Sequence, residues 1–373
     1  MTDEFYMRQA LRLARRGERW VSPNPMVGAV VVKNNRIIGE GYHEYFGGPH
    51  AEINALRQVQ KSVRGATIYV TLEPCSHYGK TPPCVEALIG LQLARVVIGT
   101  ADPNPLVAGS GINALWRAGI DVTVGIMEEA CREINERFFK FITTGIPFVT
   151  LKFAQTIDGR IASVTGHSQW ISSPASRTLA HRLRSTHDAI LVGVGTVLAD
   201  DPELTVRHVK GKNPLRIVVD SHLRIPLTAK ILQDQEQART IIATTKHAAP
   251  KKIQRLQKEG IKTLLVDELI GADGGHHVDV QKLLQELGRR QIASVLVEGG
   301  SAIITSLLQE KLADRLVIIV APKILGRGIE AVADLGNQTM DEAIKLNFRK
   351  VYRRGDDIII DALPVPRSDC PPP

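Results

Sequence analysis

Apolar and polar positions alternate along this chain in two long series. Near the N-terminus, Phe5, Ala10, Leu11 and Ala14 recur at helical spacing, which predicts an amphipathic helix with those residues on one face. Residues 27–33 and 36–42 predict a hairpin turning at Asn34-Asn35. Strands are expected at 66–72, 95–100 and 120–125, and helices at 51–60, 84–89, 111–118 and 127–142. That alternation predicts a mixed α/β sheet covered by helices. Thr143-Thr144-Gly145-Ile146-Pro147 interrupts the pattern, and a domain boundary is expected there, giving domains 1–145 and 146–373. Beyond it, strands are expected at 148–154, 189–194, 215–220, 240–244, 262–266, 294–298 and 316–320, with a helix at 300–308. The Pro-rich tail 364–373 is expected to be loose.

Composition narrows the class. A chain of 373 residues is too long for one ordinary core, and 43% hydrophobic with 23% charged residues argues against disorder. Apolar stretches such as 316–321 fall far below the roughly 18 residues of a membrane span. The first residues carry acids and no apolar signal core, and four cysteines do not make a disulfide scaffold. A cytoplasmic protein is expected. The net charge of +8 is spread thinly: residues 1–145 hold 16 basic and 14 acidic residues, the remainder 31 and 25. No stripe interleaves aromatic with basic residues, so charge favours phosphorylated small molecules as readily as nucleic acid.

The strongest chemistry lies in His50-Ala51-Glu52, Pro74-Cys75 and Cys84. One imidazole and two thiolates make a three-ligand zinc set with an open fourth position, and Glu52 is available as a proton carrier beside it. Nucleobase deaminases carry His-x-Glu followed by Pro-Cys-x-x-Cys. Here eight residues separate the cysteines. A closed structural site would need a fourth ligand, for which His77 is the nearby choice. Cys131 and Cys370 read as a core thiol and a tail thiol.

Ser22-Pro23-Asn24-Pro25, Val27-Gly28-Ala29, His50-Ala51-Glu52, Thr71-Leu72-Glu73-Pro74-Cys75-Ser76-His77 and Thr81-Pro82-Pro83-Cys84 together resemble the bifunctional deaminase–reductase of riboflavin biosynthesis, whose own motif has the long spacer. The resemblance implies a cytidine-deaminase-like first domain and a dihydrofolate-reductase-like second one. Zn2+ would fall to His50, Cys75 and Cys84, with Glu52 as proton donor. Asn24, His43, His77, Lys80, Asp102 and Asn104 would contact a diaminopyrimidinone ribosylamine 5′-phosphate, whose 2-amino group is replaced by oxygen. A homo-oligomer acting on a small molecule is also implied, without nucleic acid or membrane.

Gly109-Ser110-Gly111 in the first half and Gly326-Arg327-Gly328 in the second match a dinucleotide fingerprint in letters alone, and both are read as turns, so a Rossmann domain is not expected. Glu298-Gly299-Gly300 before an expected helix is either a phosphate cradle or a tight turn. Lys152 to Arg160 and Asp188 to Pro202 extend the family resemblance through this half. It implies NADPH contacts at Ala154, Trp170, Thr196, Asp200, Ser221, Gly300, Ser301, Ala302, Ile303 and Ile304. It implies substrate contacts at Lys152, Ser168, Arg184, Leu204, Arg207 and Glu298, with hydride passing to C1 of the opened ribosylamine. Two other readings stay open: a nucleic-acid-editing deaminase with a basic, non-catalytic second domain, and a deaminase carrying an assembly module.

Overall fold

The hairpin forms the starting edge of the first sheet. Strand β1 (Gly28–Lys33) pairs antiparallel with β2 (Arg36–Tyr42), and Asn34 and Asn35 take φ of 50° and 59° at the turn. The computed structural model describes residues 1–60, 62–78, 82–105, 107–271 and 274–365. They divide into two units, Met1–Gly145 and Ile146–Pro373.

In the first unit β3 (Thr67–Val70) joins β1 antiparallel, and β4 (Arg95–Ile98) and β5 (Asp121–Val124) follow in parallel, giving the order β2-β1-β3-β4-β5. The helices are α1 (Asp3–Ala14), α2 (Ala51–Arg57), α3 (Cys84–Gly90), α4 (Ser110–Arg117), α5 (Glu128–Ile134) and α6 (Glu136–Thr144). Period-two alternation buries both faces of the sheet. Val31, Ile68, Val70, Val96 and Ile98 pack beneath α2, α3 and α4, while Val30, Tyr69 and Val97 meet Tyr6, Met7 and Leu11 of α1. The face of α1 differs from expectation: Phe5 is exposed, and Tyr6, Met7 and Leu13 join Ala10, Leu11 and Ala14 inside. The helix expected at 127–142 is two helices. Asn135 breaks it, because its side chain pairs with the Met26 backbone, accepting from the amide at 2.7 Å and donating to the carbonyl at 2.9 Å.

The second unit is built on nine strands in the order β11-β10-β9-β8-β14-β6-β15-β18-β17. These are β6 (Phe148–Thr156), β8 (Ala189–Gly193), β9 (Leu215–Val219), β10 (Thr240–Thr244), β11 (Lys262–Leu265), β14 (Ser294–Glu298), β15 (Arg315–Ala321), β17 (Leu346–Arg354) and β18 (Asp357–Pro364), with two side ribbons, β7 (Arg160–Ser163) with β16 (Gly328–Glu330) and β12 (Glu268–Ile270) with β13 (His276–Val278). All neighbours from β11 to β15 run parallel, and β18 and β17 add an antiparallel edge. Helices α7 (Pro174–Thr186), α8 (Val194–Asp200), α9 (Pro250–Lys258), α10 (Val280–Arg289) and α11 (Ser301–Gln309) lie along it. Leu191, Ile217, Val295 and Val297 face α10 and α11, and Ile190, Val192, Val218 and Ile242 face the opposite layer with Leu256 of α9. Ligands of open parallel sheets bind beyond the carboxyl ends of the strands. Neighbouring β8 and β14 present Thr196 and Gly299-Gly300 at that end.

Candidate active sites

Helix α2 delivers two of the chemical groups. His50 is its N-cap residue and Glu52 lies in its first turn. The helix rests directly on β2, because Gly39 and Gly41 stand where a Cβ would fall 2.3 Å from the Ala55 oxygen and the Ala55 nitrogen respectively. Cys84 opens α3, and Cys75 follows β3 in a loop whose carbonyl accepts from Val85 N at 3.2 Å. His50 Nδ1 lies 3.4 Å from Cys75 Sγ and 3.3 Å from Cys84 Sγ. A nitrogen at ~2.0 Å and a sulfur at ~2.3 Å on a tetrahedral zinc would sit roughly 3.5 Å apart, so the donor set fits that ion. Among the described residues no fourth His, Cys, Asp or Glu joins this group, and His77 is exposed outside it.

The two thiols are coupled through a hydrogen bond. Cys75 is pulled down to about 4, chiefly by the hydrogen bond from Cys84, while Cys84 is pushed far up by that same bond and by burial. A bound cation would remove the obstacle to the second ionisation. Glu52 is buried, and desolvation lifts its carboxyl above the ordinary range, the condition of a group that holds and releases a proton.

The neighbouring contacts divide into two sets. His43 Nδ1 faces the Pro49 carbonyl at 3.0 Å, so that nitrogen carries the hydrogen, and Nε2 accepts from Asn24 Nδ2 at 3.1 Å. Burial lowers the His43 pKa and keeps the ring neutral for this role. The ring lies 5.5 Å from that of His50, so Asn24 and His43 flank the metal ligands. In the second set, Asp102 is buried with its pKa raised by desolvation, and its Oδ1 accepts from Asn104 N at 2.9 Å. Lys80 lies outside the described residues.

Glu73 ties that second set to the metal loop. Its buried carboxylate accepts four backbone N–H groups: Asp102 at 3.1 Å and Gly109 at 3.1 Å on one oxygen, Gly111 at 2.9 Å and Ile112 at 3.2 Å on the other. The Gly109-Ser110-Gly111 segment therefore opens helix α4 between parallel β4 and β5, where a plain turn was expected, and the protein itself supplies the anion at that helix start. The sequence motif contained Glu73 but showed no partner for it. Glu73→Gln places an NH2 against two of these donors. It is expected to cost about 2 kcal/mol or more of stability and to lower deamination while reduction persists, read by urea unfolding and by separate assays of the two half-reactions.

In the second unit, β14 ends in Glu298, a buried carboxylate. Burial opposes its ionisation, but Arg184 and Lys152 prevail and hold it down at about 2. Arg184 grips it bidentately at 2.7 and 2.9 Å and gives its remaining arm to the Thr205 carbonyl at 3.1 Å; Lys152 stands 3.5 Å away. The Arg184 guanidinium is thus engaged inside the protein, which leaves Arg207 as the more accessible cation. Arg207 is half exposed, donates to Glu203 and to Thr205 Oγ1 at 3.0 Å, and gives its backbone N–H to His181 Nδ1 at 3.0 Å. His181, absent from the sequence expectations, is held neutral: burial and then Arg184 push its pKa down to about 4. Leu204 is buried beside them with φ of 54°.

Gly299 and Gly300 adopt φ of 92° and 80°, and a Cβ on Gly300 would press to 3.3 Å from Thr196 Oγ1. This cradle, which a side chain would fill, fits the close approach of a phosphate. Ile303 and Ile304 point into the core, and the Ile304 N–H already bonds the Gly300 carbonyl at 3.2 Å, so Ser301 and Ala302 are the accessible members of that run. Ser168 Oγ donates to Asp200 at 3.0 Å, Trp170 is exposed with the Arg177 guanidinium 4.3 Å from its ring, Ala154 is half-buried on β6, and Ser221 Oγ accepts from Val278 N at 3.1 Å.

Residues 1–100 match the cytidine and deoxycytidylate deaminase zinc-binding region, and residues 147–360 match the RibD C-terminal domain. The riboflavin biosynthesis protein RibD of Aquifex aeolicus (strain VF5) is 46% identical over 96% of this chain and 97% of its own length. The RibD protein of Escherichia coli (strain K12) is 41% identical over 96% and 99%. Among solved structures, Acinetobacter baumannii RibD superposes with a TM-score of 0.87 at 38% identity, covering 98% of this chain and 99% of that one. A diaminohydroxyphosphoribosylaminopyrimidine deaminase/5-amino-6-(5-phosphoribosylamino)uracil reductase from Thermotoga maritima gives 0.85 at 37%, covering 97% and 99%. Near-complete coverage at these identities, with both domain families in order, joins the two sites on one chain: it belongs to the RibD family of bifunctional deaminase–reductases of riboflavin biosynthesis.

Proposed function

We propose that residues 1–145 exchange the 2-amino group of a diaminopyrimidinone ribosylamine 5′-phosphate for oxygen, and that residues 146–373 then reduce its ribosyl group to a ribityl chain. The observation that carries this reading is the convergence of His50, Cys75 and Cys84 beside the buried carboxyl of Glu52. Zinc held by those three ligands would supply a water acidified to a pKa of about 7. The chain's own work is proton handling and positioning. Glu52 carries one proton of the water to the ring nitrogen and then the second, from the added hydroxyl, to the amino group that leaves as ammonia. Asn24, oriented by neutral His43, offers its amide to the ring edge, and the Asp102–Asn104 loop, fixed by Glu73, closes the other side. The exchange consumes one water and releases one ammonia.

In the second unit, NADPH supplies the hydride. The glycine cradle beside Thr196 orients it, and the Lys152–Glu298–Arg184 group, with neutral His181, forms a fixed polar wall for the sugar. The substrate is a free phosphorylated pyrimidine, and the chain works as a homo-oligomer in the cytoplasm. No described helix is long and apolar enough to cross a membrane.

The phosphate contact of the reductase is assigned to Arg207. Loss of a charge-assisted contact costs ~1.5–3 kcal/mol, so Arg207→Gln should raise KM for the deaminated intermediate roughly ten- to a hundredfold and leave the NADPH Kd nearly unchanged. The preference for phosphorylated over dephosphorylated substrate should shrink in parallel. Fluorescence titration with NADPH and steady-state kinetics on both substrates test this. Lost NADPH affinity with an unchanged KM would move Arg207 to the cofactor side.

A further inference from the structure

A second convergence of metal-binding groups lies in the reductase unit, and neither half-reaction uses it. His247 follows β10, Glu268 begins β12 and His276 begins β13. Their donor atoms all fall within 4.8 Å of one another. His247 Nε2 stands 3.2 and 3.0 Å from the two Glu268 oxygens, and His276 Nδ1 stands 3.1 Å from Glu268 Oε1. On a tetrahedral zinc, nitrogen and oxygen ligands at ~2.0–2.1 Å lie roughly 3.3 Å apart, close to this spacing. The two imidazoles sit 4.2 Å apart at 35°, both presenting nitrogen to one carboxylate.

A purely hydrogen-bonded His–Glu–His network accounts poorly for these atoms. Glu268 Oε2 and His276 Nδ1 are shut off from solvent and make no hydrogen bond of acceptable geometry. Buried polar atoms left that way cost stability unless something else satisfies them. A cation bound by all three groups would do so. Lys246, whose ammonium lies 3.0 Å from Glu268 and whose side chain is 75% exposed, neutralises the carboxylate without metal and has room to swing clear. The backbone around the three ligands is fixed from several directions. His247 N donates to Thr245 Oγ1 at 3.2 Å, Val266 N to the Thr244 carbonyl at 2.8 Å, and Val278 N to Ser221 Oγ at 3.1 Å.

We propose that His247, Glu268 and His276 form a second zinc-class site, which clips the β12–β13 ribbon to the end of β10. Two imidazoles and one carboxylate suit a borderline divalent ion, with water completing the shell. The role is structural, and it bears on the loop that carries Ser221.

The full-length chain, stripped with a chelator and titrated with zinc, should bind two ions by elemental analysis. Cys84→Ser should bind one, His276→Ala one, and the double variant none. Glu268→Gln, which keeps the side-chain shape, should repeat the loss seen for His276→Ala and weaken the second ion at least tenfold. Cobalt substitution identifies which ion is lost: the sulfur-to-metal absorption should persist in His276→Ala and vanish in Cys84→Ser. Hydrogen exchange in 268–270 and 276–278 should slow on adding the second equivalent. A single zinc in the wild-type chain, or two in both His276→Ala and Glu268→Gln, would overturn the proposal.

Discussion

Glu52→Gln is expected to reduce deamination at least ~10²-fold while zinc content and reduction of the deaminated intermediate stay at wild-type levels. The amide keeps the shape of the side chain but cannot carry a proton from water to the ring and on to ammonia. Glu52 lies in the first turn of α2, buried beside the metal ligands, and it is not one of the three donors that fall together around His50. The two half-reactions are assayed separately, with the deaminated intermediate supplied. Zinc analysis and single-turnover ammonia release give the readout. Loss of zinc in the variant would move Glu52 into the ligand set and contradict its assignment as proton carrier.

Cys84→Ser should remove the zinc held with His50 and Cys75, or weaken it by orders of magnitude, and deamination should fall with it. Serine keeps its proton at neutral pH and is a poor zinc ligand. Cys84 is buried at the start of α3, 3.3 Å from His50 Nδ1, and a hydroxyl there still donates to Cys75 but supplies no thiolate. Two ligands of different length then face an ion that prefers four well-placed donors. Metal analysis after gel filtration, alongside ammonia release at added zinc, measures the effect. Zinc retained at the His50 site with normal turnover would show that the eight-residue spacer does not bring Cys84 to the metal.

The clustering of His50, Cys75 and Cys84 was legible because His50-Ala51-Glu52 and the two cysteines declare their chemistry through residue type. The alternating apolar strands were legible for the same kind of reason, since a strand buried on both faces is rich in Val and Ile. The antiparallel edge was not: β17 reads LNFRKVYRR, where polar and charged residues dominate an exposed strand, and no apolar run announces it. Asn135 breaks a helix that spacing alone would continue, because its partner, Met26, is 109 residues away in sequence. Separation in sequence also hides Glu73, whose four backbone donors lie 29 to 39 residues further on, and Arg184, which meets Glu298 across 114 residues. Side chains whose role is to hold other segments leave no local pattern. Those that carry chemistry at short spacing do.

The central claim, that one chain deaminates and then reduces, is tested most directly by following ammonia and NADPH together on the diaminopyrimidinone ribosylamine 5′-phosphate. Without NADPH the zinc-loaded chain should release one ammonia per substrate and stop at the deaminated ribosylamine. On addition of NADPH, one equivalent of it should be oxidised, with no further ammonia. NADPH oxidation on the aminated substrate before any ammonia appears, or ammonia release that requires NADPH, would contradict it.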